Sequence, residues 1–171
     1  MSSYSKLIIF IVVLVLISAA IVLIDSSVDS INKTMPEISD AIVEGDSDYN
    51  EAVQLVNDKS FDESMNKAIS AGNNYNDSLK KLRDIQNEYS ADINDVQDDY
   101  INTVIEELEL KIKAVDKLKE SIDCFKVYSN YTGTNYASEA NDLIYDAVNY
   151  QNERDTIVKD NPNLFKQNFI I

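Results

Sequence analysis

The sequence predicts an all-α protein, in which an N-terminal single transmembrane helix is followed by an antiparallel bundle of about four long helices. Three observations predict this fold. An apolar run opens the chain, apolar residues then recur every three or four positions, and the 171 residues include only three glycines and two prolines. A β-rich domain of this size needs many more turn residues than that.

The apolar run extends from Leu7 to Ile24 and contains Ser18 as its single polar residue. A helix of this length spans roughly 27 Å, close to the ~30 Å hydrocarbon core of a bilayer. We therefore expect residues 1–24 to form a cytoplasmic tip and a transmembrane anchor, with the lipid bilayer as a partner. The alternative is a signal peptide cleaved after Ala20, although signal peptides usually have a shorter apolar core.

Charges that flank the run predict how the protein is oriented. Lys6 precedes the run, whereas Asp25 and Asp29 follow it. Because positively charged flanks stay in the cytoplasm, we expect a single-pass protein of the cytoplasmic membrane, with its N-terminus inside and its C-terminal domain outside. The remaining chain then divides into a juxtamembrane connector at residues 25–35, an extracytoplasmic helical bundle at residues 36–160 and a C-terminal tail at residues 161–171.

The first helix of the bundle is predicted to start at Thr34-Met35-Pro36-Glu37. Proline suits the first turn of a helix, and Glu37 completes a capping box with Thr34. Farther along this helix, residues 45–50 place oxygen atoms at alternate positions, as a calcium-binding loop does. Glu51 occupies the position where such a loop needs glycine, so we interpret Asp46 as a helix cap instead.

Three further helices follow from similar signals of periodicity and capping. Tetratricopeptide repeats recur every 34 residues, but no second copy of the first hairpin appears at that spacing, so we interpret it as a generic helical hairpin. The predicted boundaries are a second helix from near Ser60, a third capped by Ser90 or Asp92 and running to about Asn130, and a fourth from the break at residues 130–135 to residues 160–162.

Charge and composition exclude several kinds of function. The residues after position 24 include thirty acidic and fourteen basic side chains, a net charge of −16 that repels nucleic acid. The chain has no histidine, and Cys124 is its single cysteine, which excludes imidazole zinc sites and Ser-His-Asp or Cys-His catalysis. We expect no cofactor and no metal. Glu107 and Lys111 are predicted to pair on the solvated face of the third helix.

Ten tyrosines form two groups along the chain. One group falls on apolar stripes and is predicted to fill the core: Tyr49, Tyr75, Tyr89, Tyr100 and Tyr150. The other group surrounds the joint between the third and fourth helices. Aromatic and amide side chains together are typical of surfaces that bind proteins or glycans, so we consider this group a candidate interaction patch: Tyr128, Tyr131, Asn135, Tyr136 and Tyr145.

These features predict a membrane-anchored, non-catalytic scaffold or protein-interaction module of a prokaryotic cell envelope. Its partner is an unknown envelope protein, and its oligomeric state stays open. One alternative is an accessory ligand-sensing bundle for a separate signalling or transport protein. Another is a hydrolase that acts through paired carboxylates, for which the acidic clusters at residues 95–99 and 106–109 are the available groups.

Overall fold

The computed structural model describes residues 23–24 and 27–166, most of which lie in four long helices. Short turns join the helices, and α1 packs against α2, α2 against α3, and α3 against α4. Consecutive helices therefore run antiparallel. The prediction of an all-α bundle of four helices is confirmed, with α1 at Asp29–Asn57, α2 at Phe61–Tyr89, α3 at Asp95–Lys126 and α4 at Asn130–Asp160.

The predicted cytoplasmic tip and most of the predicted membrane helix, residues 1–22, lie outside the described residues. The last two residues of the run form the strand β1, Leu23–Ile24, which pairs antiparallel with β2, Phe165–Lys166. The prediction that the helix continues through Ile24 is therefore wrong, because extended residues that pair laterally are not helical. Among the helices that the structure describes, none has an apolar stretch long enough to cross a bilayer.

The described part of the predicted tail, residues 161–166, packs against the bundle, and residues 167–171 lie outside the described residues. Phe165 is 5% exposed, and its ring lies 5.1 Å from the ring of Tyr100 on α3. The side-chain amide of Gln97 donates a hydrogen bond of 3.3 Å to the carbonyl oxygen of Leu164. The chain is thus held at the end of the bundle where α1 begins and α4 ends.

The first helix begins at Asp29, well before the predicted start at residues 34–36. Pro36 therefore lies inside the helix, where proline costs about 3 kcal/mol. Ile31, Met35 and Ile38 share one helical face and are fully buried, and burial of each such side chain contributes roughly 1.5–3 kcal/mol. This apolar stripe outweighs the proline, so residues 29–35 belong to the bundle and not to a connector.

The third helix begins later than predicted, because Asn94 caps it instead of Ser90 or Asp92. The Asn94 side chain accepts a hydrogen bond of 3.0 Å from the backbone N–H of Gln97. The Gln97 side chain in turn accepts one of 3.1 Å from the backbone N–H of Asn94, which completes a capping box. The helix ends at Lys126, so the chain reverses at residues 127–129 rather than at residues 130–135.

The two hairpins, α1–α2 and α3–α4, repeat each other at an offset of 69 residues. Ser60 and Ser129, which precede α2 and α4, share a ψ of 62°. Each follows a residue with positive φ, Lys59 at 62° and Tyr128 at 59°. Many equivalent positions are buried in both hairpins, as in the pairs Ile31/Tyr100, Met35/Val104, Tyr49/Leu118, Val53/Ile122, Ala68/Ala137 and Ala71/Ala140.

A serine hydroxyl ties the two helices of each hairpin together near the turn. In the first hairpin, the Ser64 hydroxyl donates to the carbonyl oxygen of Ala52 at 2.7 Å. In the second, the Ser121 hydroxyl donates to the carbonyl oxygen of Gly133 at 2.8 Å. The 69-residue offset relates the same two pairs of positions, but the serine lies on the second helix of the first hairpin and on the first helix of the second. Small residues at all four positions let the helices approach closely.

The substitution Gly133→Ala is expected to destabilise the bundle by about 1–3 kcal/mol through overpacking. A Cβ atom at position 133 would lie 2.7 Å from Cε1 of Phe125. The Phe125 ring is buried and stacks on Phe61 with centroids 6.2 Å apart, so it has little room to move. Urea unfolding of the purified protein measures the loss. Gly72→Ala is the control, since a Cβ there would meet only Val115, at 3.3 Å; equal losses at both positions would contradict the explanation.

Candidate functional site

Three large apolar side chains project from the turn between α3 and α4. Val127 is 72% exposed, Tyr128 is 89% exposed and Tyr131 is 83% exposed, and we call these three residues the turn patch. Single exposed apolar residues are ordinary on protein surfaces, but adjacent ones often mark a site of interaction. The turn patch is therefore the leading candidate for a functional surface.

The chain around the turn patch is nearly uncharged, in contrast to the rest of the bundle. Residues 124–138 contain no acidic side chain, although thirty occur in the whole sequence. Their one charged residue, Lys126, lies 2.6 Å from Asp62 at the start of α2. Exposed charges nonetheless occur at this end of the bundle, where the acids Asp58, Asp62 and Asp123 outnumber the lysines Lys59 and Lys126. The turn patch is thus an apolar surface at an end of the bundle whose exposed charges are mostly acidic.

Tyr128 occupies a backbone conformation that tyrosine disfavours. Its φ of 59° is left-handed, which costs a residue with a Cβ atom about 1–2 kcal/mol, and helices usually place glycine at such a position. The turn is closed by its backbone, since the N–H of Ser129 donates to the carbonyl oxygen of Cys124 at 2.8 Å. The exposed tyrosine ring contributes no hydrogen bond or ring contact within the described residues, so the fold does not explain it.

The substitution Tyr128→Gly is expected to leave the free energy of unfolding unchanged or to raise it by up to about 1 kcal/mol. Relief of the left-handed strain exceeds the added entropy of glycine in the unfolded chain, which is roughly 0.5–1 kcal/mol. Thermal and urea unfolding check this result. Lys59→Gly, at the equivalent position of the first hairpin, should behave in the same way. A loss above about 1 kcal/mol at Tyr128 alone would mean that its ring stabilises the bundle.

The structure distributes the other predicted patch residues along α4. Asn135 is exposed near the turn patch. Tyr145 is 69% exposed on the same outer face, but it lies 14 residues beyond Tyr131, about 21 Å along the helix. Tyr136 is half-buried, and the Nζ atom of Lys117 sits 4.9 Å from its ring centroid. Tyr128, Tyr131 and Asn135 are therefore the members that the fold brings together.

A second unusual feature is a layer of charged and tyrosine side chains that crosses the core. Every helix contributes to this charged layer, which consists of Asp46 from α1, Tyr75 from α2, Glu107 and Lys111 from α3, and Arg154 from α4. The Lys111 Nζ atom lies 2.8 Å from Asp46 Oδ1 and 2.8 Å from Glu107 Oε1. The Tyr75 hydroxyl donates to Asp46 Oδ1 at 2.7 Å, and Arg154 Nη1 lies 3.3 Å from Glu107 Oε2.

The charged layer is almost completely removed from water. Glu107, Lys111 and Arg154 are each at most 1% exposed. Burial by itself lowers the pKa of Lys111, but the carboxylates of Glu107 and Asp46 outweigh this effect and hold its pKa above the ordinary value. Burial and the Asp46 charge both raise the pKa of Tyr75. At neutral pH Lys111 is therefore a cation, and Tyr75 is a neutral hydrogen-bond donor.

Two sequence predictions are wrong at this layer. Glu107 and Lys111 are buried instead of lying on a solvated face, because α3 packs against both α2 and α4 and buries a wide arc of its surface. Asp46 is not a cap and does not belong to a calcium loop, because α1 continues through residues 45–50 without interruption. Among the tyrosines predicted for the core, Tyr49, Tyr75 and Tyr100 are buried, while Tyr89 and Tyr150 are half-buried.

The internal repeat, which the structure makes visible, relates the charged layer to apolar positions of the other hairpin. At the 69-residue offset, each charged residue corresponds to an aliphatic residue of the other hairpin. The pairs are Asp46/Val115, Glu107/Ile38, Lys111/Ile42 and Arg154/Ile85. Because those aliphatic residues are buried in the core, the hairpin fold does not itself require a charge at these positions.

The charged layer is an ion-pair network. Each carboxylate is paired with a cation; Glu107 is fully buried, and the Asp46 side chain is 16% exposed. Within the part of the chain that the structure describes, no group of three acidic or cysteine side chains is arranged to hold a metal ion.

No protein-family model, curated protein or solved structure matches this chain.

Proposed function

We propose that this chain is a membrane-tethered, non-catalytic helical bundle that serves as a protein-interaction module on the outer side of a prokaryotic cytoplasmic membrane. The turn patch is the observation that carries the proposal. Its three exposed side chains lie in a nearly uncharged segment of an otherwise acidic protein. Apolar and aromatic residues of this kind form the centres of protein interfaces.

The path of the chain supports a tether at one end and a binding surface at the other. The apolar run precedes α1, whose first residue lies at the same end of the bundle as β1, β2 and the last residue of α4. The turn patch lies at the opposite end, beyond the 29 residues of α1, which extend about 44 Å. A bundle anchored through the apolar run would therefore hold the turn patch well away from the membrane.

Membrane fractionation of the full-length chain tests the tether. We expect the protein to sediment with membranes and to require detergent for release. A variant with Val13→Arg and Leu16→Arg should instead become soluble, because each arginine at the centre of a spanning helix costs roughly 2.5–3.5 kcal/mol. Val43→Arg, at an exposed position of α1, is the matched control. Recovery of the unaltered chain in the soluble fraction would overturn the tether.

The orientation has a separate test that uses a single reactive thiol. In a Cys124→Ser background, Asn135→Cys places a thiol at an exposed position of α4. A membrane-impermeant maleimide applied to intact cells should label this thiol without prior permeabilisation. A thiol introduced at Ser3 should be labelled only after permeabilisation, because the N-terminal flank is expected on the inner side. The reverse pattern would contradict the proposed orientation.

A further inference from the structure

We infer that the turn patch docks into an apolar pocket rimmed by lysine or arginine on a folded partner protein. This inference rests on the proposed interaction role and specifies the partner's surface. Val127, Tyr128 and Tyr131 supply an apolar centre, and the exposed acids Asp58 and Asp123 lie at the same end of the acidic bundle. An interface with aromatic residues at its centre and charges at its edge requires the opposite charge around the partner's pocket.

The first hairpin provides an internal comparison for the turn patch. Its equivalent turn has the same backbone conformation, with Lys59 and Tyr128 both left-handed. The closing hydrogen bonds also correspond, from Ser60 to Leu55 at 2.9 Å and from Ser129 to Cys124 at 2.8 Å. The residues that replace the turn patch in this sister turn are Asp58 for Val127, Lys59 for Tyr128 and Asp62 for Tyr131.

The sister turn shows that this backbone accepts three charged, exposed residues. The apolar residues of the turn patch are therefore not required to form the turn, and in water they are less favourable than charges. Tyrosine also loses little conformational entropy when it is held in an interface, because it has only two side-chain torsions. Two exposed tyrosines beside a valine are thus suited to binding rather than to folding.

Charge favours a basic-rimmed protein over the other possible occupants. A second copy of this chain would bring another acidic surface against the first, because each molecule carries −16 after residue 24, and like charges across an interface are unfavourable. An anionic lipid surface would be repelled in the same way. The position of the turn patch, about 44 Å from the start of α1, also separates it from the proposed tether.

Photo-crosslinking in intact cells identifies the partner directly. A photoreactive phenylalanine analogue at position 128 should yield one discrete adduct with another protein. The same analogue at the exposed position 145 should not yield that adduct, since it lies about 21 Å from Tyr131. An adduct of twice the chain mass, adducts with lipid alone, or the same adduct from both positions would each overturn the inference.

Titration of the purified partner then tests the chemistry of docking. The variant Val127→Asp/Tyr128→Lys/Tyr131→Asp copies the sister turn and should weaken binding by at least about 100-fold, since buried aromatic residues dominate interface energies. Val127→Ser/Tyr131→Ser is a milder variant that should weaken binding by at least about 10-fold if the first fails to fold. Tyr145→Asp is the matched control and should change the Kd less than about threefold.

The salt dependence of the same titration separates the contribution of exposed charges to binding from that of the apolar centre. Binding should weaken as ionic strength rises, because exposed opposite charges are screened. A Kd that is unchanged in the turn variants, or that does not respond to salt, would overturn the inference. Both measurements use the interaction alone, so a failed fractionation test would remove the tether without affecting them, and a failed titration would leave the tether intact.

Discussion

The substitution Lys111→Met is expected to destabilise the bundle by about 3–5 kcal/mol, because it leaves buried carboxylates without their cation. Lys111 Nζ lies 2.8 Å from both Asp46 and Glu107. After the substitution, Glu107 retains only the longer contact with Arg154, at 3.3 Å. Since a domain of this size is stable by roughly 5–15 kcal/mol in total, this loss should be visible as a large fall in the urea midpoint.

Lys113→Met is the matched control for this prediction. It removes the same charge two residues along the same helix, but Lys113 is exposed. Surface substitutions of this kind usually change the free energy of unfolding by less than about 0.5 kcal/mol. Similar small effects at both positions would mean that the charge of Lys111 is solvated in the folded protein, which contradicts its burial.

Replacement of the whole charged layer by apolar residues is expected to maintain or raise the free energy of unfolding, in contrast to Lys111→Met. The variant combines Asp46→Val, Tyr75→Phe, Glu107→Ile, Lys111→Ile and Arg154→Ile. It should be as stable as the unaltered protein or more stable by up to about 4 kcal/mol, since removing a buried ion network removes its desolvation penalty. Both Glu107 oxygens are near cations but lack well-aligned hydrogen bonds among the described residues, which increases that penalty.

Urea unfolding of the apolar variant beside Lys111→Met tests this expectation. The two hairpins bury equivalent positions, so a fully apolar core offers several pairings of similar energy, and buried charges can select one of them. We therefore expect extra or broadened peaks in the NMR spectrum of the apolar variant. A variant less stable than Lys111→Met would show that the ion pairs themselves stabilise the fold.

The four helices could be predicted from the sequence, whereas the repeat and the charged layer could not. Apolar spacing correctly predicts four helices, and the grouping of tyrosines along the chain points to the joint between α3 and α4. The repeat is hidden in the sequence because its paired positions, such as Tyr49 and Leu118, share burial but not identity. The burial of Glu107 could not be predicted, since glutamate four residues before lysine is also the usual pattern of an exposed ion pair.

The helical class, the number of helices and the acidic charge follow from the sequence alone, because helical periodicity and composition can be read without knowing the tertiary contacts. The folded structure was needed to show that α1 extends back to Asp29, that Lys111 lies in the core and that Tyr128 is exposed to solvent. Burial depends on which helices flank a given face, and that arrangement is set by contacts between residues far apart in the chain.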